Sequence, residues 1–85
     1  MSNIRAIRFA ARWSGPCKSL ARSLEGHIFP IELEVIDIDD NRSMAEKYSV
    51  RGVPCVMILK DGKEVARKMG AIPPRLIEEM ISEHV

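Results

Sequence analysis

The residues best suited to redox chemistry lie in one short stretch, residues 13–18, which read WSGPCK. Cys17 supplies a thiol, and Ser14 stands three positions before it, where a second cysteine would complete a C-x-x-C dithiol. Such a dithiol beside a β-α-β pattern is typical of a redox motif. Because Ser14 replaces the first sulfur, the chemistry of the site depends on that one atom.

A strand and a helix must position this stretch. The apolar run of residues 4–11 precedes it and predicts a buried strand. Pro16 suits the first turn of a helix, where its missing N–H costs little, and Ser14 is a suitable N-cap. The stretch therefore lies at a strand-to-helix turn, where free backbone N–H groups and the helix dipole face the side chains.

The hydrophobic pattern predicts seven elements in the order β-α-β-α-β-β-α. Predicted strands span residues 4–9, 33–38, 55–59 and 64–69, and predicted helices span residues 15–27, a short segment after Asn41 and a segment opened by Pro73 and Pro74. Strands joined through a crossover helix are parallel, whereas the last two strands flank a two-residue hairpin turn. These elements give one α/β domain, residues 1–85, with a four-stranded mixed sheet between helices.

Apolar spacing predicts the buried faces of the first helix and the second strand. The predicted inward positions are Cys17, Leu20, Ala21, Leu24 and Ile28 on the helix, and Leu33, Val35, Ile36 and Ile38 on the strand.

Charge is balanced overall but unevenly distributed. The net charge of +1 indicates no general affinity for nucleic acid or membrane surfaces. Residues 1–22 contain five Lys or Arg and no acid, whereas residues 25–46 contain seven acids and one base. Either these elements lie side by side and pair, or the basic residues form a rim round residues 13–18 that attracts an acidic partner or favours a thiolate.

The first apolar stretch does not resemble a signal peptide, because Arg5, Arg8 and Arg12 interrupt it. No apolar run approaches the roughly 18 residues that a membrane helix needs. We therefore expect a cytoplasmic location, where two cysteines are more often redox or packing residues than a structural disulfide.

Several motifs recur along the chain in a fixed order. Residues 9–18 read FAARWSGPCK, and residues 48–54 read YSVRGVP, followed by KDG and, eight residues later, Gly70. These motifs, with Asp39, resemble the thioredoxin family, whose first motif reads F-x-A-x-W-C-G-P-C-K. The resemblance spans about residues 4–81. It implies a thioredoxin-like fold of about glutaredoxin size, without the extra N-terminal strand and helix that usually begin the family.

The resemblance implies a protein disulfide oxidoreductase. It places Ser14 at the position of the nucleophilic cysteine and Cys17 at the position of the resolving thiol. A serine hydroxyl is scarcely ionised at neutral pH and forms no S–S bond, so we expect little or no dithiol turnover. The implied partners are protein disulfides and a thioredoxin- or glutaredoxin-type reductant, with no cofactor, no metal and a monomeric state.

The resemblance also implies a substrate-binding surface made of Trp13, Gly15, Pro16, Val53 and Pro54. Pro54 would be a cis proline packed against the turn, and the Val53 backbone would pair with an extended peptide. Trp13 would present a partly exposed, flat apolar face to the partner.

Two questions stay open at this point. Ser14 fits a cysteine replaced by design to block turnover, a natural monothiol protein that keeps Cys17, or a non-catalytic peptide-binding module. Cys55, which follows Pro54 where a Thr is usual, is either a redox neighbour that forms a disulfide with Cys17 or one of two buried, inert thiols. With no His near either sulfur in the sequence, a metal site is not expected.

Arg8 departs from the family, which usually places there a buried carboxylate thought to help proton transfer to the second thiol. An Arg cannot accept a proton. Val35 likewise stands near a position where many members carry a Lys. Because a buried unpaired charge is costly, we expect Arg8 to reach the sheet edge or to pair with Glu34 or Asp37. If it lies under Cys17, it would favour a thiolate there.

Overall fold

The computed structural model describes residues 3–85 and has the element order predicted from the sequence. The elements are β1 (Ile4–Ala10), α1 (Gly15–Ser23), β2 (Leu33–Asp37), α2 (Arg42–Lys47), β3 (Cys55–Lys60), β4 (Lys63–Met69) and α3 (Pro74–Ser82). The strand order is β2-β1-β3-β4, with β1 parallel to β2 and antiparallel to β3, which in turn pairs antiparallel with β4. The predicted four-stranded mixed sheet with three helices is confirmed.

Alternation along the two central strands divides the core into two layers. Ala6, Val56 and Ile58 pack with residues of α1 and α3, and we call this side of the sheet the α1 face. Ile7 and Phe9 lie on the opposite side, with side chains of α2, and we call it the α2 face. Because successive side chains of a strand point to opposite faces, each position of β1 has its face fixed by this pattern.

β3 is the most buried strand and, like β1, has a paired strand on each edge. All five residues from Cys55 to Leu59 are buried, as a continuous apolar run predicts for a central strand. The turn to β4 consists of Asp61 and Gly62, whose φ angles of 52° and 84° suit a tight two-residue hairpin turn.

The first helix ends earlier than predicted. α1 stops at Ser23, and the amide of Leu24 is shared between the carbonyls of Leu20 and Ala21, which tightens the last turn. Gly26 then takes a φ of 75° and turns the chain away. Ile28, predicted on the buried face, consequently lies outside the helix and is 89% exposed.

The prediction that Val35 points inward is also wrong. β2 is an edge strand, and its alternation places Ile36 and Ile38 against the α2-face cluster. Val35 therefore lies on the α1 face, where it is 57% exposed because no helix covers it. Within residues 3–85 the longest helices have nine residues, and none is long and apolar enough to cross a membrane.

Candidate functional site

The sheet register brings the segments of the candidate site to one edge. The parallel strands β1 and β2 end level with each other, Ala10 lying opposite Asp37. β3 begins at the same edge, where Cys55 lies opposite Phe9. The loops that follow β1 and β2 therefore meet the loop that precedes β3, and residues far apart in the sequence share one surface.

Ser14 and Cys17 are joined by the N-cap of α1. The Ser14 Oγ accepts a hydrogen bond of 3.2 Å from the Cys17 amide, and the Ser14 carbonyl accepts one of 3.1 Å from the Lys18 amide. Ser14 is 5% exposed and Cys17 is 3% exposed. The predicted N-cap is confirmed, and the Ser14 side chain is directed at the amides of the first helical turn, where a helix favours negative charge.

Trp13 is held beside this turn with its ring open to solvent. The side chain is 68% exposed, and its Nε1–H donates a hydrogen bond of 2.9 Å to Oδ2 of Asp39. The neighbouring Arg12 donates to Asp40 at 2.6 Å and lies 3.9 Å from Asp37. Two adjacent residues after β1 are thus tied to the loop after β2, which fixes the orientation of the exposed ring.

The loop before β3 supplies the other predicted binding residues. The Val53–Pro54 peptide bond is cis, Pro54 is buried, and its carbonyl accepts a hydrogen bond of 2.9 Å from the Gly70 amide. Val53 is half-buried, whereas Gly15 and Pro16 at the start of α1 are exposed. The sheet therefore carries an exposed helix start and a loop with a buried proline at the same edge.

Cys55 does not join Cys17. Both thiols are free, and Cys55 is fully buried in the α2-face cluster, whereas Cys17 belongs to α1 on the opposite side of the sheet. Burial raises the pKa of the Cys55 thiol above its ordinary value, and Arg67 offsets this only in part. The alternative of a Cys17–Cys55 disulfide is wrong, because the sheet separates the two side chains, and Cys55 has the environment of a packing residue.

Arg8 lies on the α1 face and lines the cavities between α1 and the edge strand β2. Of the two alternatives expected for it, pairing with Glu34 or Asp37 is wrong. Glu34 lies on the α2 face, where it accepts two hydrogen bonds from Arg5, and Asp37 faces Arg12. Among residues 3–85 the Arg8 Nε is buried without an acceptor. Burial lowers the pKa of Arg8, and the electrostatic influence of nearby Cys17 opposes that shift.

The contacts of Arg12 with Asp37 and Asp40 were not predicted individually. The signal was present in the sequence, since a basic segment, residues 1–22, is followed by an acidic one, residues 25–46. The interpretation that these elements pair is confirmed for Arg5 and Arg12. In the described part of the chain, no three His, Cys, Asp or Glu side chains are placed to share a metal ion.

The thioredoxin family model matches residues 2–83 of the chain. The chain belongs to the thioredoxin family. Thioredoxin of Rhodospirillum rubrum is 39% identical to it over 83 residues, which cover 93% of this chain and 80% of that protein. Thioredoxin of Chlamydia caviae is 37% identical over 81 residues, or 92% and 79% of the two chains.

The solved structures agree with the assignment to the thioredoxin family. The crystal structure of Fasciola hepatica thioredoxin superposes with a TM-score of 0.83 at 37% identity, covering 98% of this chain and 82% of that one. Thioredoxin-family membership is consistent with a thiol–disulfide oxidoreductase, and it directs attention to the helix start at Ser14 and Cys17.

Proposed function

We propose that this chain carries a thioredoxin-type site for thiol–disulfide exchange with protein disulfides, in which Ser14 occupies the position of the attacking thiol and Cys17 that of the resolving thiol. The observation that carries the proposal is the hydrogen bond from the Cys17 amide to the Ser14 Oγ at the start of α1. The atom at the tip of residue 14 lies where a helix N-terminus stabilises a thiolate. The helix start is therefore arranged for a thiol pair, and residue 14 lacks the sulfur that would form it.

The missing sulfur determines which step is blocked. In a dithiol site the first thiolate attacks the substrate disulfide, forms a mixed disulfide and releases one substrate thiolate. The second thiolate, here Cys17, then attacks the mixed disulfide, releases the other substrate thiolate and closes an internal disulfide. Ser14 cannot perform the first step because its hydroxyl is scarcely ionised and forms no bond to sulfur, so dithiol turnover by this chain is little or none.

The surface around the helix start would bind the substrate. Trp13 offers an immobilised apolar ring, and the exposed Gly15 and Pro16 leave the helix start open to a partner. Among residues 3–85 the Val53 amide and carbonyl have no backbone partner, so they are free for strand-like hydrogen bonds to an extended peptide. Pro54, buried beside Val53, would hold that backbone in place.

The remaining features of the proposal concern the protein as a whole. Residues 1–85 would act as one domain and as a monomer in the cytoplasm, reduced by a thioredoxin- or glutaredoxin-type protein and without a cofactor. The two free cysteines and the absence of a disulfide among residues 3–85 are compatible with a reducing compartment.

The test is the reduction of insulin driven by dithiothreitol, measured side by side for the parent chain and its Ser14→Cys variant. A matched control is Ser19→Cys, which introduces a thiol on the exposed side of the same helix. We expect turnover at least about tenfold above background for Ser14→Cys only. Turnover by the parent chain, or a folded but silent Ser14→Cys variant, would overturn the proposal.

A second function, a non-catalytic module that binds peptides, is favoured by one observation. Trp13 presents a large apolar surface whose orientation is fixed by its hydrogen bond to Asp39, an arrangement that suits binding irrespective of any thiol. This function predicts that Ser14→Cys gives no turnover while the protein still binds an extended peptide, and that Trp13→Ala abolishes that binding.

A further inference from the structure

Arg8 carries a charge that no acid in the described chain balances. The four ion pairs among residues 3–85 involve Arg5, Arg12 and Arg67, and no carboxylate lies within the 4.0 Å that defines an ion pair with the Arg8 guanidinium. Its Nε is moreover buried without an acceptor. A buried donor without a partner is rare in a native protein and needs an explanation, such as a bound water, ion or ligand.

Two cavities meet at this side chain, in the space between α1 and β2. The larger, about 350 Å³, is lined by Arg8 and by apolar side chains that include Leu24, Phe29 and Leu33. The smaller, about 210 Å³, is lined by Arg8, Cys17 and their neighbours on β1 and β2. We call these two cavities together the Arg8 groove. Its larger part lies within the size range of small-molecule sites.

The charges around the groove limit the ligand it can hold. Glu32 lines the larger cavity and Asp37 the smaller, and neither is bonded to Arg8. Arg12 and Lys18 also line the smaller cavity, beside Asp37. Of residues 3–85, Arg8 is the only Arg or Lys in the lining of the larger one, and it lies there with Glu32. The larger cavity therefore suits the single charge of one carboxylate better than the double charge of phosphate. It is otherwise lined mainly by apolar side chains, among them Leu24, Ile28 and Phe29. Such a lining favours a ligand with an apolar body.

We propose that the Arg8 groove binds a small carboxylic acid with an apolar body, its carboxylate on the Arg8 guanidinium and its apolar part in the larger cavity. The carboxylate accepts the hydrogen bonds that the chain leaves unmade, and the apolar part covers Leu24 and Phe29. This site is separate from the surface of Trp13 and Val53, and it does not depend on the proposed redox function.

Titration calorimetry of the full chain with octanoate tests this site, with octanol and inorganic phosphate as comparison probes. We expect saturable binding of octanoate that weakens at least tenfold in Arg8→Met. Arg22→Met is the matched control, because Arg22 is exposed on α1 and lines neither cavity. We expect octanoate to bind this variant as it binds the parent chain.

Two further variants separate the charge from the apolar contact. Glu32→Gln removes the acid beside the groove and should tighten octanoate binding, whereas Ile28→Ser should weaken it severalfold without affecting the fold, since Ile28 is exposed. Amide chemical shifts should change along α1 and β2. Absence of saturable binding, equal binding of octanol or phosphate, or unchanged binding by Arg8→Met would overturn the proposal.

Discussion

Two arginines of β1, three residues apart, differ in their partners: the one on the α2 face is paired with an acid, and within residues 3–85 the one on the α1 face is not. Arg5, on the α2 face, donates hydrogen bonds of 2.9 and 2.8 Å to both carboxylate oxygens of Glu34. Arg8, on the α1 face, lies in register with Val35 and has no acid to bond. The pleat places Glu34 on the face of Arg5 and Val35 on the face of Arg8. Asp37 shares the face of Arg8 but lies level with Ala10 and faces Arg12.

Because only Arg5 is paired with an acid, the two arginines have different roles in the protein. Arg5 and Glu34 form a cross-strand pair that ties the edge strand β2 to β1. Arg8 instead lies on the α1 face and lines the smaller cavity with Cys17, at the position where the family resemblance implies a carboxylate. We therefore interpret Arg5 as a stabilising residue and Arg8 as a residue that alters the site above it.

The largest expected effect comes from restoring a proton acceptor at position 8. In a Ser14→Cys background, Arg8→Asp should raise turnover of insulin roughly tenfold to a hundredfold at pH 7, because a positioned carboxylate can take the proton that Cys17 must lose. Arg8→Asn is the matched control, since an amide of the same size accepts no proton there. Equal turnover of the Asp and Asn variants would show that the charge of Arg8, and not the lost acceptor, limits the site.

Replacing each arginine by an apolar residue should change stability in opposite directions. Arg8→Met removes a buried donor that has no partner and should raise the free energy of unfolding by about 1–3 kcal/mol. Arg5→Met breaks a partly exposed pair and should lower it by about 0.5–1 kcal/mol. Urea unfolding of the parent and both variants measures the two values. A destabilising Arg8→Met substitution would contradict the unpaired state of Arg8.

The smallest expected effect is a pH dependence of the stability that the Arg5–Glu34 pair contributes. The hydrogen bond from Arg5 lowers the pKa of Glu34 below its ordinary value of 4.5. The unfolded chain therefore binds the proton first, and the stabilisation is present above that value and lost as the pH falls through the lowered pKa. Glu34→Gln should cost about 0.5–1 kcal/mol at pH 7.

That cost should decline towards zero on acidification below the ordinary value, as followed by urea unfolding across the acid range. Glu32→Gln serves as the control, because Glu32 forms no ion pair among residues 3–85. If Glu34→Gln lowers the free energy of unfolding by the same amount at every pH across the acid range, the charge of the pair contributes nothing to stability.

Much of the fold follows from local sequence. The continuous apolar run of β3 predicts a central strand, Asp61 and Gly62 predict the hairpin, and Ser14 with Pro16 predicts the start of α1. In each case the residues that determine the structure lie next to one another in the chain, so no tertiary contact has to be known.

Of the errors, one concerns the local end of a helix and another depends on how two strands are aligned. Leu24, at the helix end, still packs on the α1-face cluster as predicted. Ile28 continues the same spacing, but the tightened last turn and the positive φ of Gly26 end the helix before it.

The pairing of Arg8 depends on the register between β1 and β2, which places Val35 opposite Arg8 and Glu34 on the other face. The same register brings Asp37 level with Ala10, where it faces Arg12. A one-residue change of register would have exchanged the faces of Glu34 and Val35.

The central claim is that residue 14 is placed to pair with Cys17 and that a sulfur there would restore the redox pair. The most direct test is to oxidise the Ser14→Cys variant and map its disulfide by mass spectrometry. We predict a loss of two hydrogens and a bond between the introduced cysteine and Cys17, with Cys55 left free behind the sheet. A disulfide between Cys17 and Cys55, or no disulfide in the folded variant, would contradict the claim.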